Sequence, residues 1–353
     1  MKITDIQCIH IQIPKVSTNI IGSVSYEGNP YRDEEPEHMN QFVGSVPHFG
    51  HSCSCIVKVY TDEGIVGIGE AGAGARCAID KIRDNLIGCD VYDITYNSNY
   101  TMQGRGSTLR IFTKHTGLAR TKEQSAIEFA LWDIIGKKAG LPVYKLLGGK
   151  VRDKARIYVN FKAKTPEDFA KKALDLKNQG YTAIRYSIGH PEDENGRCGE
   201  NFSQVVYRME RQMAAIREAV GWETDIAIEC HRGLTPAQAI ECAHALKPYR
   251  PYFYEDPIPD NMAAMTKLTE EIDLPVATGE RFINLMEFDE FMTASHVRYV
   301  RPDMCVAGGI TAGKKIAALA EAKSIYIIPH NPLGPISTAA CLQLDACIPN
   351  FEI

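Results

Sequence analysis

The sequence predicts an α/β protein, with a parallel strand–helix barrel behind a smaller N-terminal α+β capping domain. Three observations point there. The chain has 353 residues, too long for one ordinary core and long enough for a barrel plus a small domain. After Gly148-Gly149, strand-like and helix-like segments alternate, most of them 23 to 27 residues apart. Glu229, Glu255 and Glu280 stand near the ends of three successive strand candidates, at gaps of 26 and 25 residues, about one strand-plus-helix unit.

Residues 3–13 alternate apolar and polar and read as one strand, not as a signal peptide. The stretch from Pro14 to His51 is rich in Gly, Pro and Glu and has no helical period. It is long enough to be a lid or binding loop. CIVKVY, the turn Thr61-Asp62-Glu63-Gly64 and IVGIGEA form a hairpin. Residues 78–94 and 121–140 read as helices, the second apolar at Ile127, Ala130, Leu131, Ile134 and Ile135. The expected capping domain is residues 1–125, and the barrel domain residues 126–353. LLGGKV resembles the end of a phosphate-binding loop, but Val151 follows Lys150 and the flanking pattern is wrong, so it reads as a hinge.

The barrel strands are expected at ARIYVN (155–160), TAIRYSI (182–188), DIAIEC (225–230), PYFYE (251–255), PVATG (275–279), RYVRP (298–302), SIYIIP (324–329) and NFEI (350–353). Eight such strands close a barrel. The gap before DIAIEC is longer and holds the polar insertion HPEDENGRCGEN. The sequence ends inside the eighth strand, so the barrel domain is expected to lack its C-terminal end.

Composition excludes several classes of function. A net charge of −5 gives no basic footprint for nucleic acid. No run of 18 apolar residues exists, so no transmembrane helix is expected. The 11 cysteines lack the spacing of a disulfide framework, and Cys53 and Cys55 have no second pair to complete a zinc site. Reduced thiols and a cytoplasmic location are expected.

The chemistry converges on the strand ends. Three acids held close repel one another and resist burial unless a cation lies between them. The simplest such cation is a hard divalent metal with oxygen ligands, Mg²⁺ above all. His330 follows SIYIIP and Asp303 follows RYVRP on the neighbouring strand. A carboxylate beside an imidazole fixes its tautomer and makes a competent general base. His231 stands two residues after Glu229, and alternate residues of a strand share a face, so it should enter the same mouth. One imidazole then takes a proton and the other gives one. Arg185 and Ser187 share a face on the second strand, where Arg185 could pair with a substrate carboxylate or bridge loop carboxylates. Trp132 and Asp133 read as helix packing and a local ion pair, His48 and His51 as solvated loop residues, and the aromatic residues of PYFYE as barrel core.

These motifs carry a family resemblance. The SAIEFALWDIIGKKAGLPVYKLLGG segment, FYEDP, TGER, RPD followed by AGGIT, and PHNPLGP together resemble the mandelate racemase group of the enolase superfamily. The resemblance spans nearly the whole chain. It implies a modified (β/α)7β TIM-like barrel under an N-terminal α+β capping domain. It also implies Mg²⁺ held by Glu229, Glu255 and Glu280, and an Asp303–His330 dyad as general base. Within the group the chain is most similar to D-galactonate dehydratase and related acid-sugar dehydratases, through Glu229-Cys230-His231-Arg232 and PHNPLGPISTAACLQLDA. There His231 would be the general acid on the departing hydroxyl.

Two departures from the family pattern stand out. The first metal ligand is usually Asp and here is Glu229, which leaves metal affinity and choice open. Racemases of the group carry Lys-x-Lys where this chain has Arg185-Tyr186-Ser187, and Ser187 cannot replace the second base. The acid expected on the last strand falls at or beyond the end of the sequence. The resemblance implies Mg²⁺-dependent dehydration of a small-molecule aldonate, galactonate-like, to a 2-keto-3-deoxy acid by a cytoplasmic homo-oligomer. A hydroxy-acid epimerase or racemase and a non-catalytic sugar-acid-binding protein stand as alternatives.

Overall fold

The computed structural model describes residues 1–14, 51–72, 75–94, 118–189 and 199–353. His48, most of the Pro14–His51 stretch and most of the insertion after Gly189 lie outside the described residues.

Strands β1 (Ile3–Pro14), β2 (His51–Thr61) and β3 (Val66–Gly72) form an antiparallel sheet in that order. β1 pairs with β2 along its length, from Ile3 opposite Thr61 to Pro14 opposite His51, so His51 opens a strand instead of closing a loop. Helix α1 runs over Arg76–Leu86, shorter at its C-terminus than the pattern over 78–94 predicts. Ile87 is extended and Gly88 has φ +83°, which ends the helix there. Helix α2 (Leu118–Ala139) lays Ala126, Ile127, Ala130, Leu131 and Ile134 into a core shared with Ile3, Ile6, Val57 and Val59. A short helix, α3 (Val143–Leu146), then leads through Gly148 and Gly149 into the barrel.

The barrel strands are β4 (Val159–Phe161), β5 (Ala183–Ser187), β6 (Asp225–Glu229), β7 (Tyr254–Glu255), β8 (Val276–Thr278), β9 (Tyr299–Val300) and β10 (Tyr326–Ile327). All neighbours pair in parallel, in sequence order. Phe351 makes a parallel bridge to Ile327 at the far edge, where the eighth strand is expected. The paired segments are shorter than the apolar runs that announce them, though single backbone bonds continue past their ends, as from Cys230 N to Glu255 O and from His330 N to Pro302 O. Helices α4 (Pro166–Asn178), α5 (Phe202–Val220), α6 (Pro236–Leu246), α7 (Met262–Glu271), α8 (Leu285–Ala294), α9 (Gly309–Ala322) and α10 (Pro335–Cys347) follow the strands.

Alternate strand residues face opposite ways, giving two cores. Ile184, Tyr186, Ile226, Ile228, Tyr254 and Val300 pack outward against the helices. Ala183, Ala227, Phe253, Ala277, Tyr299, Ile328 and Ile353 fill the inside of the curl. Small alanines on three strands leave room there for Phe253 and Tyr299, whose rings meet edge-on at 6.0 Å. Phe253 and Tyr254 are both fully buried, as expected of PYFYE.

Candidate active site

Each site residue comes from the C-terminal end of a barrel strand. Parallel register sets Ser187 beside Glu229 and Glu229 beside Glu255. Glu280 stands two residues beyond the end of β8. Asp303 and His330 form a parallel bridge of their own beyond β9 and β10. His330 Nδ1 lies 2.9 Å from Asp303 Oδ2, and His330 Nε2 lies 3.1 Å from Glu280 Oε2. The backbone N–H of Cys305 donates to Asp303 Oδ1 at 2.7 Å, which fixes the carboxylate.

His231 reaches this neighbourhood by a different route from the one its spacing suggests. β6 ends at Glu229, and His231 and Arg232 take left-handed backbones with φ of +47° and +62°. The strand rule for alternate residues therefore stops applying at Cys230. The turn lets the His231 N–H donate to Glu229 Oε1 at 2.7 Å and leaves Nδ1 3.7 Å from that oxygen, with the ring 43% exposed.

The charges are balanced in a way the spacing of the acids did not announce. Arg185 Nη1 donates to Glu229 Oε2 at 2.7 Å and to Glu255 Oε1, while its Nε donates to Asn160 at 2.6 Å. Arg301, 1% exposed, meets Glu255 Oε1 at 2.9 Å. Arg232 bridges Asp256 at 2.6 Å and Glu280 at 2.5 Å. Arg185 is thus engaged with the strand-end glutamates themselves, a role its sequence position did not suggest, and Ser187 stands two residues along the same strand. Among the described residues, no three His, Cys, Asp or Glu side chains converge as a ready metal cluster. The relief expected from a divalent ion is supplied in part by guanidinium groups. Arg232, Asp256 and Arg301 belong to the site and carried no signal of their own in the sequence. They sit within motifs whose other members did.

The electrostatics follow from these contacts. Burial pushes the Glu229 carboxyl well up, and the charge of Glu255 adds to the push. Burial also opposes ionisation of Glu255, but Arg185 and Arg301 outweigh it and hold the group at about 2. Burial disfavours the imidazolium of His330, yet the Asp303 hydrogen bond and the charge of Glu280 raise its pKa above the ordinary value. Burial, then Arg185, lowers that of His231.

A hard cation fits this donor set. Glu229, Glu255 and Glu280 offer carboxylate oxygens, the ligands magnesium prefers. Glu255 Oε2 is buried without a hydrogen-bond partner. Five carboxyl groups (Glu229, Glu255, Asp256, Glu280, Asp303) meet three guanidiniums (Arg185, Arg232, Arg301), and burial pushes two of the five, Glu229 and Asp256, toward the protonated form, the response of clustered acids short of positive charge.

Comparison with known proteins agrees with this architecture. Residues 168–353 match the enolase C-terminal domain-like family, and residues 33–148 match the mandelate racemase / muconate lactonizing enzyme N-terminal domain. The chain is 33% identical to the D-gluconate dehydratase of Thermoproteus tenax, over 85% of this chain and 60% of that one. It therefore spans less than two thirds of that relative's length. It is 31% identical to the D-mannonate dehydratase of Sphingomonas sp. (84% and 79% covered) and 34% identical to the D-galactonate dehydratase of Ralstonia nicotianae (82% and 74%). Among solved structures, a member of the enolase superfamily from Salmonella Typhimurium superimposes with a TM-score of 0.78 at 31% identity, covering 85% of this chain and 82% of that one. An enolase from Agrobacterium radiobacter, solved with sodium and L-malate bound, gives 0.76 at 31% identity over 85% and 76%. With both domains matched and the strand-end acids in register, this chain belongs to the enolase superfamily, in its mandelate racemase / muconate lactonizing enzyme group.

Proposed function

We propose that this chain is a hydro-lyase that dehydrates an acid sugar, an aldonate resembling galactonate, to a 2-keto-3-deoxy acid. The observation that carries the reading is the Asp303–His330 pair at 2.9 Å, set beyond adjacent strand ends beside Glu280, with His231 in the turn that follows β6. Three relatives named for gluconate, mannonate and galactonate supply the substrate class.

Glu229, Glu255 and Glu280 would hold Mg²⁺. When bound, the ion supplies positive charge to offset the negative charge that develops on the substrate carboxylate as the adjacent carbon loses its proton. Asp303 holds the Nδ1 side of His330, so Nε2 is the atom that takes the C2 proton. His231 gives a proton to the 3-hydroxyl, which leaves as water, and the resulting enol tautomerises to the 2-keto acid. Ser187, at the position of the second base, cannot take that role, and Arg185 is engaged with both glutamates and Asn160, which speaks against a two-base racemase.

The test is a screen of a stereochemically complete set of five- and six-carbon aldonates and aldarates with Mg²⁺, reading 2-keto acid formation, with EDTA as control. EDTA-sensitive product from one or a few acids is expected. No product from any acid, with Mg²⁺ binding demonstrated, would sink the reading.

A further inference from the structure

The barrel helices do not all begin in the same way. α4, α5, α6, α7 and α8 each carry their own N-cap, Thr165, Asn201, Thr235, Asn261 and Asn284, whose side chain accepts from the first turn. α9 and α10 begin at Gly308 and Gly334 and have no such cap. These are the helices that follow the strands bearing Asp303 and His330. Their first-turn N–H groups are met from outside the barrel strands and helices.

Glu128, from α2, accepts from Ile310 N and Thr311 N, each at 2.8 Å, and from the Trp132 indole at 2.9 Å. Glu70, from β3, accepts from Gly334 N at 2.9 Å and Ser337 N at 3.0 Å. Both carboxyl groups are buried, Glu70 to 2% and Glu128 to 0% exposure. Glycine makes the space for them. A Cβ on Gly309 would lie 2.1 Å from Glu128 Oε2, and one on Gly334 would lie 2.4 Å from Glu70 Oε1.

From Glu70 the contacts continue to the dyad. Ser337, whose N–H it binds, donates through Oγ to Asn331 Oδ1 at 2.7 Å, and Asn331 directly follows His330. The Cys305 thiol donates to Ser337 Oγ at 3.2 Å, and the Cys305 N–H donates to Asp303 Oδ1. Contacts thus run from a carboxyl of the antiparallel sheet through Ser337 and Cys305 to Asp303, and through Ser337 to Asn331, the chain neighbour of His330.

We propose that Glu70 and Glu128 are positioning residues: they cap the helices behind Asp303 and His330 and hold the dyad in register, so that docking of the N-terminal sheet and α2 sets the geometry of proton abstraction. The catalytic half of this inference rests on the dehydratase reading. A glutamine at either place supplies one acceptor where two separate N–H groups need one each, so it cannot substitute however its amide is turned.

The test compares Glu70→Gln, Glu128→Gln and Gly334→Ala with wild type, and uses Glu63→Gln, an exposed carboxyl paired with Lys138, as control. Gly334 has φ −88°, which alanine tolerates, so its added methyl displaces the Glu70 carboxyl and not the backbone. Amide hydrogen exchange, which needs no substrate, should show faster exchange at residues 303–311 in Glu128→Gln and at residues 331–338 in the other two, with the rest of the chain unchanged. On an active acid sugar, kcat should fall on the order of 10-fold or more with KM within about twofold, since small misplacements of a reacting group are costly. Glu70→Gln and Gly334→Ala together should cost no more than either alone, because both break one contact. Unchanged protection in these segments overturns the positioning role whether or not any acid sugar is turned over. Protection lost with kcat unchanged, kcat lost only in proportion to an unfolded fraction, or additive effects in the double variant would overturn the catalytic half.

Discussion

His330 and His231 are assigned different halves of one reaction, and that difference can be measured. A positioned general acid or base contributes about 10²- to 10⁴-fold. His330→Asn should lose both 2-keto acid formation and deuterium exchange at C2 by a factor in that range. His231→Asn should lose product formation to a similar extent yet keep C2 exchange, because the proton is still taken. If His231→Asn stops exchange as well, the two roles are wrongly divided. Arg301 makes a stability prediction at the same scale. It is 1% exposed and shares Glu255 with Arg185, while its Nη1 donates to the Tyr158 hydroxyl at 3.2 Å. Removing one partner of a buried ion pair leaves an uncompensated charge and costs about 3–5 kcal/mol. Arg301→Met should therefore lower the urea midpoint accordingly, and a loss below about 1 kcal/mol would mean that Arg185 alone satisfies Glu255. The acids were legible in the sequence because their spacing repeats the barrel unit. Arg185 was legible as a candidate but its partners were not, and Arg232 and Arg301 were missed altogether, because a long side chain reaches a partner that its own strand position does not specify. Arg185 meets Glu229 across one strand boundary and Glu255 across two.

At the scale of elements, the order and type of the barrel strands were readable from apolar runs at a steady interval, while their ends were not. His231 shows why: the period-two rule holds only while the strand lasts, and β6 stops at Glu229. Helix α2 shows the complementary failure. Its apolar face was legible, but Gln124, Ser125 and Glu128 on its other side are buried too. No periodicity reveals a polar residue that is buried because a second domain covers it. Glu128 turns that burial into a pH dependence. Burial raises its carboxyl from the ordinary value to about 7, against hydrogen bonds from Thr311, Ile310 and Trp132 that lower it. Between pH 4.5 and 7 the folded state then holds a proton that the unfolded chain has released. Stability falls as pH rises through this window and levels off above it, by ~3 kcal/mol in all. Chemical unfolding of wild type at pH 5 and pH 7.5 should show this contribution. Glu128→Gln should remove the slope and lower the plateau, since one first-turn amide of α9 loses its acceptor. An identical slope in both proteins would assign the pH dependence to other groups.

At the scale of the whole molecule, α2 decides whether the chain behaves as one unit or two. Ala126, Ile127, Ala130, Leu131 and Ile134 belong to the core of the antiparallel sheet, whereas Phe129 belongs to the barrel core and Trp132 touches both. The Trp132 indole also donates to Thr311 at 3.0 Å, and Ser125 accepts from Gly308 N at 3.1 Å. A helix shared between two cores cannot leave one without exposing apolar surface of the other, at roughly 25 cal/mol for each Å². The sheet and the barrel should therefore unfold together. Gly69 offers a way to strain only the sheet side. It lies on β3 so close to α2 that an added Cβ would stand 1.8 Å from the Ala126 carbonyl oxygen, a contact only backbone movement can relieve. Overpacking of this kind costs about 1–3 kcal/mol. In calorimetry, Gly69→Ala should move one cooperative transition down by a few degrees, with the signal of Trp132 shifting in step. Were the sheet independent, the substitution would split the profile, with an early sheet transition and a barrel transition left where it was. That outcome would also uncouple Glu70 and Glu128 from the dyad at temperatures between the two steps, so activity measured across the same range would be lost at the first step and not at the second.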